Sequence, residues 1–175
     1  MKSRNLILLA LVVVGITLLP GCSGKDRLLT YTNPAFSIQY PSDWTQGEEK
    51  GYIAFLSPME SSADLFRENI NIGVVDMDPA NPPTLDEITK STISAIKTYI
   101  ADINLVDSSE TALSGYPAHK VIYTGKPEGT RDLKLIQIWT LKDNKLYVIT
   151  FTADVNNYAN YLGIINMMFN SFKIT

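Results

Sequence analysis

Few side chains in this chain have the type and spacing for chemistry. His119 is the only histidine and Cys22 the only cysteine. A hydrolytic site needs a nucleophile, a base and an orienting carboxylate. No Gly-x-Ser-x-Gly segment is present, and His119 falls in a strand-like stretch on the same face as Val121 and Tyr123. That placement fits an ordinary strand histidine better than a general base. One histidine and one cysteine leave any transition-metal site to carboxylates.

The carboxylates offer three groupings. Asp76, Asp78 and Glu87 stand at positions one, three and twelve of an EF-hand-like count. A calcium loop needs glycine at its sharp turn, where Asn81 stands, and Ala80 supplies no side-chain oxygen. The reading favoured for this stretch is a solvated loop leading into a helix. Glu48 with Glu49, and Glu60 with Asp64, read as surface loops rather than an acid–base pair. Trp44, Tyr52 and Phe55 could build an aromatic platform, but core packing at a strand end is the simpler assignment. Met167 and Met168 read as core and edge of a helix. The site expectations are therefore no catalytic residue, no metal ligand and no cofactor.

Cys22 carries the clearest chemistry. Lys2 and Arg4 precede an apolar run from Leu6 to Leu19, followed by Pro20-Gly21-Cys22-Ser23. A basic start and an apolar stretch of about 7–15 residues make a secretory signal, and roughly 20 residues would be needed to span a bilayer. A cysteine directly after Leu-Pro-Gly fits a lipobox, in which the thiolate takes a diacylglyceryl group and cleavage frees the cysteine as the new N-terminus. The expected organisation is a lipoprotein signal peptide at 1–21, a lipidated N-terminus and tether at 22–27, and one domain at 28–175. The expected address is the extracytoplasmic face of the cell membrane. Ser23 gives no acidic inner-membrane retention signal, so an outer membrane remains open where the host has one.

Removing the leader takes the chain from 15 basic residues to 13 against 18 acidic ones, and the net charge from −3 to −5. An acidic chain with no basic run argues against nucleic acid as a partner and against electrostatic binding to anionic lipid, which leaves membrane contact to the anchor. With one cysteine, an internal disulfide and a thiolate zinc site are excluded by count.

Between these residues lie alternating strand and turn signals. Phe36–Tyr40, Tyr52–Ser57, Ile70–Met77, Leu105–Leu113, Ala118–Thr124, Leu133–Leu141 and Leu146–Ala153 read as strands. Thr84 and Glu87 form a capping-box pattern opening an amphipathic helix through Ile100, and a second helix spans about Asn157 to Asn170. Leu133–Leu141 and Leu146–Ala153 are apolar at both odd and even positions, which predicts a sheet buried on both faces. The fold class expected is α+β, an α/β/α sandwich with a central, largely antiparallel sheet flanked by helices.

A resemblance adds to this reading. Phe36-Ser37-Ile38-Gln39-Tyr40-Pro41-Ser42-Asp43-Trp44, Ile53-Ala54-Phe55-Leu56-Ser57-Pro58, Gly115-Tyr116-Pro117-Ala118 before Tyr123, Tyr147–Ala153 and Ser171-Phe172 occur in this order. Together they resemble the PsbP family, extrinsic proteins of photosystem II and their prokaryotic lipoprotein relatives. The resemblance implies the same sandwich and a non-enzymatic role: docking to, or assisting assembly of, a membrane protein complex. That complex would be photosystem II only in a photosynthetic host. The long N-terminal arm with which plant members retain calcium and chloride has no counterpart here, and no metal-binding residue of the family carries over. The alternative function is a small-ligand or cation-binding lipoprotein.

Overall fold

The structure is a computed structural model that describes residues 27–49, 51–61, 66–126 and 131–175. The expected signal segment and Cys22 lie outside the described residues. The elements run β1 (Leu28–Thr32), β2 (Phe36–Pro41), β3 (Thr45–Glu49), β4 (Tyr52–Leu56), β5 (Asn69–Asp76), α1 (Leu85–Tyr99), β6 (Ala101–Leu113), β7 (Tyr116–Lys126), β8 (Leu133–Lys142), β9 (Lys145–Asp154), α2 (Tyr158–Ser171) and β10 (Lys173–Ile174).

Seven strands form the main sheet in the order β3-β4-β5-β9-β8-β7-β6, and β1-β2-β10 form a second sheet of three. Every pairing is antiparallel. Tight turns make this possible. Asp143 and Asn144 both take positive φ, as do Ser114 and Gly115, and two such residues in succession match the twist of a two-residue hairpin.

The two-faced burial expected from β8 and β9 is what the fold uses. On one face Ile136, Ile138, Ile149 and Phe151 join Ile53, Phe55, Ile70 and Ile72, and α2 and β2 cover them with Ile165, Met168 and Ile38. On the other, Leu135, Trp139, Val121, Tyr123 and Leu146 pack under Ile88 and Ile96 of α1. The helices therefore lie on opposite faces. Trp139 Nε1 also donates to Thr89 Oγ1 at 3.1 Å, tying α1 to the sheet.

The second sheet goes beyond the sequence expectation, which ends at the helix of about Asn157 to Asn170 and assigns no strand after it. Ile174 instead pairs with Phe36, Ile174 N donates to Ser114 Oγ at 2.9 Å, and Phe172 is buried against the Phe36 ring at 5.2 Å. Among the described residues no helix is long and apolar enough to cross a membrane.

Candidate functional site

The sequence candidates are dispersed, each held by its own local contacts. His119, half-buried on β7, stands opposite Trp139 in the ladder, and their rings stack at 5.4 Å. Its Nε2 lies 2.9 Å from Ser108 Oγ on β6. Glu110 opposes His119 across the β6–β7 ladder, yet among the described residues no hydrogen bond joins His119 to a carboxylate. The Ser–His contact thus lacks the orienting arm of a triad.

Asp76, Asp78 and Glu87 do not converge. Asp76 pairs with Lys145. Asp78 Oδ1 accepts from the Ala80 amide at 2.9 Å and shapes its own loop. Glu87 accepts from the Thr84 amide at 2.8 Å and Thr84 Oγ1 accepts from the Glu87 amide at 3.2 Å, completing the capping box. The backbone bond from Thr84 holds the Glu87 carboxyl below its ordinary pKa. Among the described residues no three His, Cys, Asp or Glu side chains converge as a metal site.

Trp44 and Phe55 are buried. Trp44 meets the Tyr161 ring edge-on at 6.1 Å, and Phe55 touches Tyr40 at 4.6 Å. Met168 is buried and Met167 partly so. Glu48 is exposed on β3, while the Glu49 side chain lies outside the described residues. Glu60, read as a surface-loop residue, is exposed, and Asp64 lies outside the described residues.

Two polar groupings escaped the sequence reading. The first lies at the start of α2. Tyr161 donates its hydroxyl to Glu60 Oε1 at 3.2 Å and Asn157 Nδ2 donates to Glu60 Oε2 at 3.3 Å. No acidic residue occupies the first turn of α2, so Glu60 supplies from a loop the negative charge that a helix N-terminus favours. Beneath it, Ser57 Oγ reaches Glu68 Oε2 at 3.5 Å. Glu68 is buried, and its Oε1 has no hydrogen-bond partner. Burial raises the Glu68 pKa, and the nearby Glu60 charge adds to the rise. Tyr161 is pushed up to about 12, chiefly by burial. Arg67 braces the segment by donating to Thr45 Oγ1 at 2.9 Å, to the Leu56 carbonyl at 3.1 Å and to the Ser57 carbonyl.

The second grouping is a buried polar stripe on the face that α1 shares. One row across β5, β9 and β8 reads Asn71, Thr150, Gln137, and the next reads Asn69, Thr152, Leu135, then Tyr123 on β7. Asn71 Nδ2 donates to Asn69 Oδ1 at 2.7 Å, Asn69 Nδ2 to the Arg67 carbonyl at 2.9 Å, and Gln137 Nε2 to Thr150 Oγ1 at 3.1 Å. Asn71 Oδ1, Gln137 Oε1, Thr152 Oγ1 and the Tyr123 hydroxyl remain buried without partners. Burial raises the Tyr123 pKa and keeps the phenol neutral. Buried polar atoms are normally satisfied, and these four are exceptions to that rule. It is a sorting of neutral donors and acceptors, without a nucleophile–base pair.

Comparison with known proteins agrees with this geometry. The solution structure of cyanobacterial PsbP (CyanoP) from Synechocystis superposes with a TM-score of 0.60 at 14% identity, covering 90% of this chain and 99% of that one. LpqN of Mycobacterium tuberculosis, a protein involved in cell envelope biogenesis, gives 0.58 at 14% identity over 85% of this chain and 91% of its own. The Ran-binding protein Mog1p of Saccharomyces cerevisiae gives 0.58 at 9% identity over 85% and 95%. At these identities the likeness is one of fold. No curated protein matches the chain. A family model described as PsbP-like protein matches residues 21–174, which is nearly the whole sequence, and the chain belongs to the PsbP-like protein family.

Proposed function

We propose that this chain is a lipid-anchored, extracytoplasmic PsbP-like domain that acts by binding a membrane protein partner and catalyses no reaction. The observation that carries the reading is the family match over residues 21–174, which begins beside Cys22. A single domain placed directly behind a lipobox cysteine is held at high local concentration near any partner in the same membrane. The residues able to do chemistry support a binding role through their placement: His119, Asp76, Asp78 and Glu87 are each engaged in separate structural contacts. The same fold serves a Ran-binding protein in yeast, so its surface is suited to protein recognition. In a photosynthetic host the partner would be photosystem II.

Crosslinking on intact membranes followed by mass spectrometry tests the proposal. The expected result is a chain beginning at Cys22 with a diacylglyceryl mass and one recurrent membrane protein attached. A free thiol with residues 1–21 retained, or a protein recovered alone with several crosslinkers, would overturn it.

The buried stripe of Asn71, Gln137, Thr152 and Tyr123 favours a second reading, a small-ligand-binding lipoprotein. Native mass spectrometry of protein purified from its own membranes separates the two. A stoichiometric adduct supports the ligand reading, and a bare mass removes it.

A further inference from the structure

We infer that one end of the main sheet, the end at which the chain enters the domain, rests on the bilayer surface. This inference builds on the proposed acylation of Cys22 and adds an orientation to it.

The ladder defines the end. Thr45, Leu56, Asn69, Thr152, Leu135, Tyr123 and Leu105 lie in one row across the seven strands. The chain arrives beside this row. Leu28 pairs with Pro41, Ser42 N donates to the Arg27 carbonyl at 2.8 Å, and Trp44 N donates to the Pro41 carbonyl at 3.0 Å just before β3 begins.

The exposed apolar side chains gather at the same end. Leu28, Met59, Tyr99, Leu105, Val106 and Val155 are between 36% and 60% exposed. Met59 follows the end of β4, Val155 follows β9, Tyr99 closes α1, and Leu105 and Val106 sit in the bulged first half of β6. The remaining large exposed apolar side chain, Ile164, is midway along α2. At the opposite end, among the described residues, no large apolar side chain is exposed, and the turns carry the ion pairs of Lys145 with Asp76 and Lys142 with Asp143.

Chain length selects the occupant. Cys22 to Arg27 spans at most about 17 Å when fully extended, whereas β9 alone is about 33 Å long. A lipid on Cys22 therefore keeps the near end within that reach of the headgroups, and the tether is too short to let the far end face the bilayer with the near end turned away from it. Scattered apolar side chains need no explanation, but a set confined to one end does, and Tyr99 is a residue type that favours the membrane interface.

The native protein allows a direct test, because the lipid consumes its only thiol. Met59→Cys, Val155→Cys and Ala112→Cys are each labelled with a fluorophore in the acylated protein. Each is bound to phosphatidylethanolamine–phosphatidylglycerol vesicles doped with a headgroup-nitroxide lipid. Ala112 is exposed near the far end of β6. The expected result is quenching at positions 59 and 155 several-fold stronger than at 112, independent of protein density on the vesicle. Equal quenching at all three positions, or strongest quenching at 112, overturns the orientation. Labels at 59 and 155 that are shielded from nitroxide only as protein density rises would show a second copy as the occupant. Intact mass of the vesicle-bound protein separates the two failures: a mass lacking the lipid overturns the anchor and the orientation together, and a lipidated protein without the quenching pattern overturns the orientation alone.

Discussion

Glu68 sits buried beside Glu60 with one carboxylate oxygen unpartnered, and its ionised form is disfavoured in the fold. Burial raises its pKa above the unfolded value. Below the unfolded pKa the group is neutral in both states and costs little. As pH rises, the unfolded chain releases the proton first, so stability falls until the pH passes the folded pKa. Glu87 has the opposite sign, because its pKa is lowered by Thr84: its contribution is present above the unfolded pKa and lost as pH falls through the folded one. Glu68→Gln should therefore gain stability relative to the natural chain as pH is raised from about 4 to about 7. Urea denaturation across that range checks this, and parallel curves for the two proteins would refute it. The residue's role was not legible in the sequence, since Arg67-Glu68-Asn69 has no spacing that signals burial of a charge. Glu60 read as a surface loop residue, and it is exposed. Its bonds to Asn157 and Tyr161, about a hundred residues along the chain, are a product of topology that no local pattern encodes.

Elements were legible where local chemistry alone decides them. The α1 cap is one such case: Thr84 and Glu87 satisfy each other's neighbouring amides, as the capping-box pattern requires. Thr84→Ala should cost about 1 kcal/mol of stability, with amide exchange accelerating first in the opening turn of α1. An unchanged urea midpoint would show that the sheet, through Trp139 and Thr89, holds this helix without its cap. The strands β8 and β9 were legible because apolar residues on both faces leave one solution, a sheet covered twice. By contrast β3, read as Thr45-Gln46-Gly47-Glu48-Glu49, lacks an apolar alternation and is defined only by its ladder to β4. At two residues, β10 is too short to carry any pattern. The buried stripe was hidden by a related ambiguity. Asn69-Ile70-Asn71-Ile72 alternates as a strand with one wet face does, and only the burial of both faces turns its amides inward.

At the scale of the whole molecule, charge and anchoring make separable demands. Residues 22–175 carry a net charge of −5, and two of the basic groups near the proposed membrane end have acidic partners. Lys126 lies 3.6 Å from Asp132, and Arg131 lies 3.9 Å from Asp154. Such surface pairs add little stability, and each offers an anionic headgroup little net positive charge. Two acyl chains hold a protein on a bilayer without further help. The acylated protein should thus stay on vesicles when sodium chloride is raised from about 0.05 to about 0.5 M, a change that shortens the screening length to a few ångströms. It should bind neutral and anionic vesicles alike. Flotation of the purified protein measures both. Release by salt, or a preference for anionic lipid, would mean that a basic surface contributes to retention and that the apolar end is not sufficient. Retention through both changes would leave the acyl group and the apolar contacts as the holding forces, because neither weakens with ionic strength.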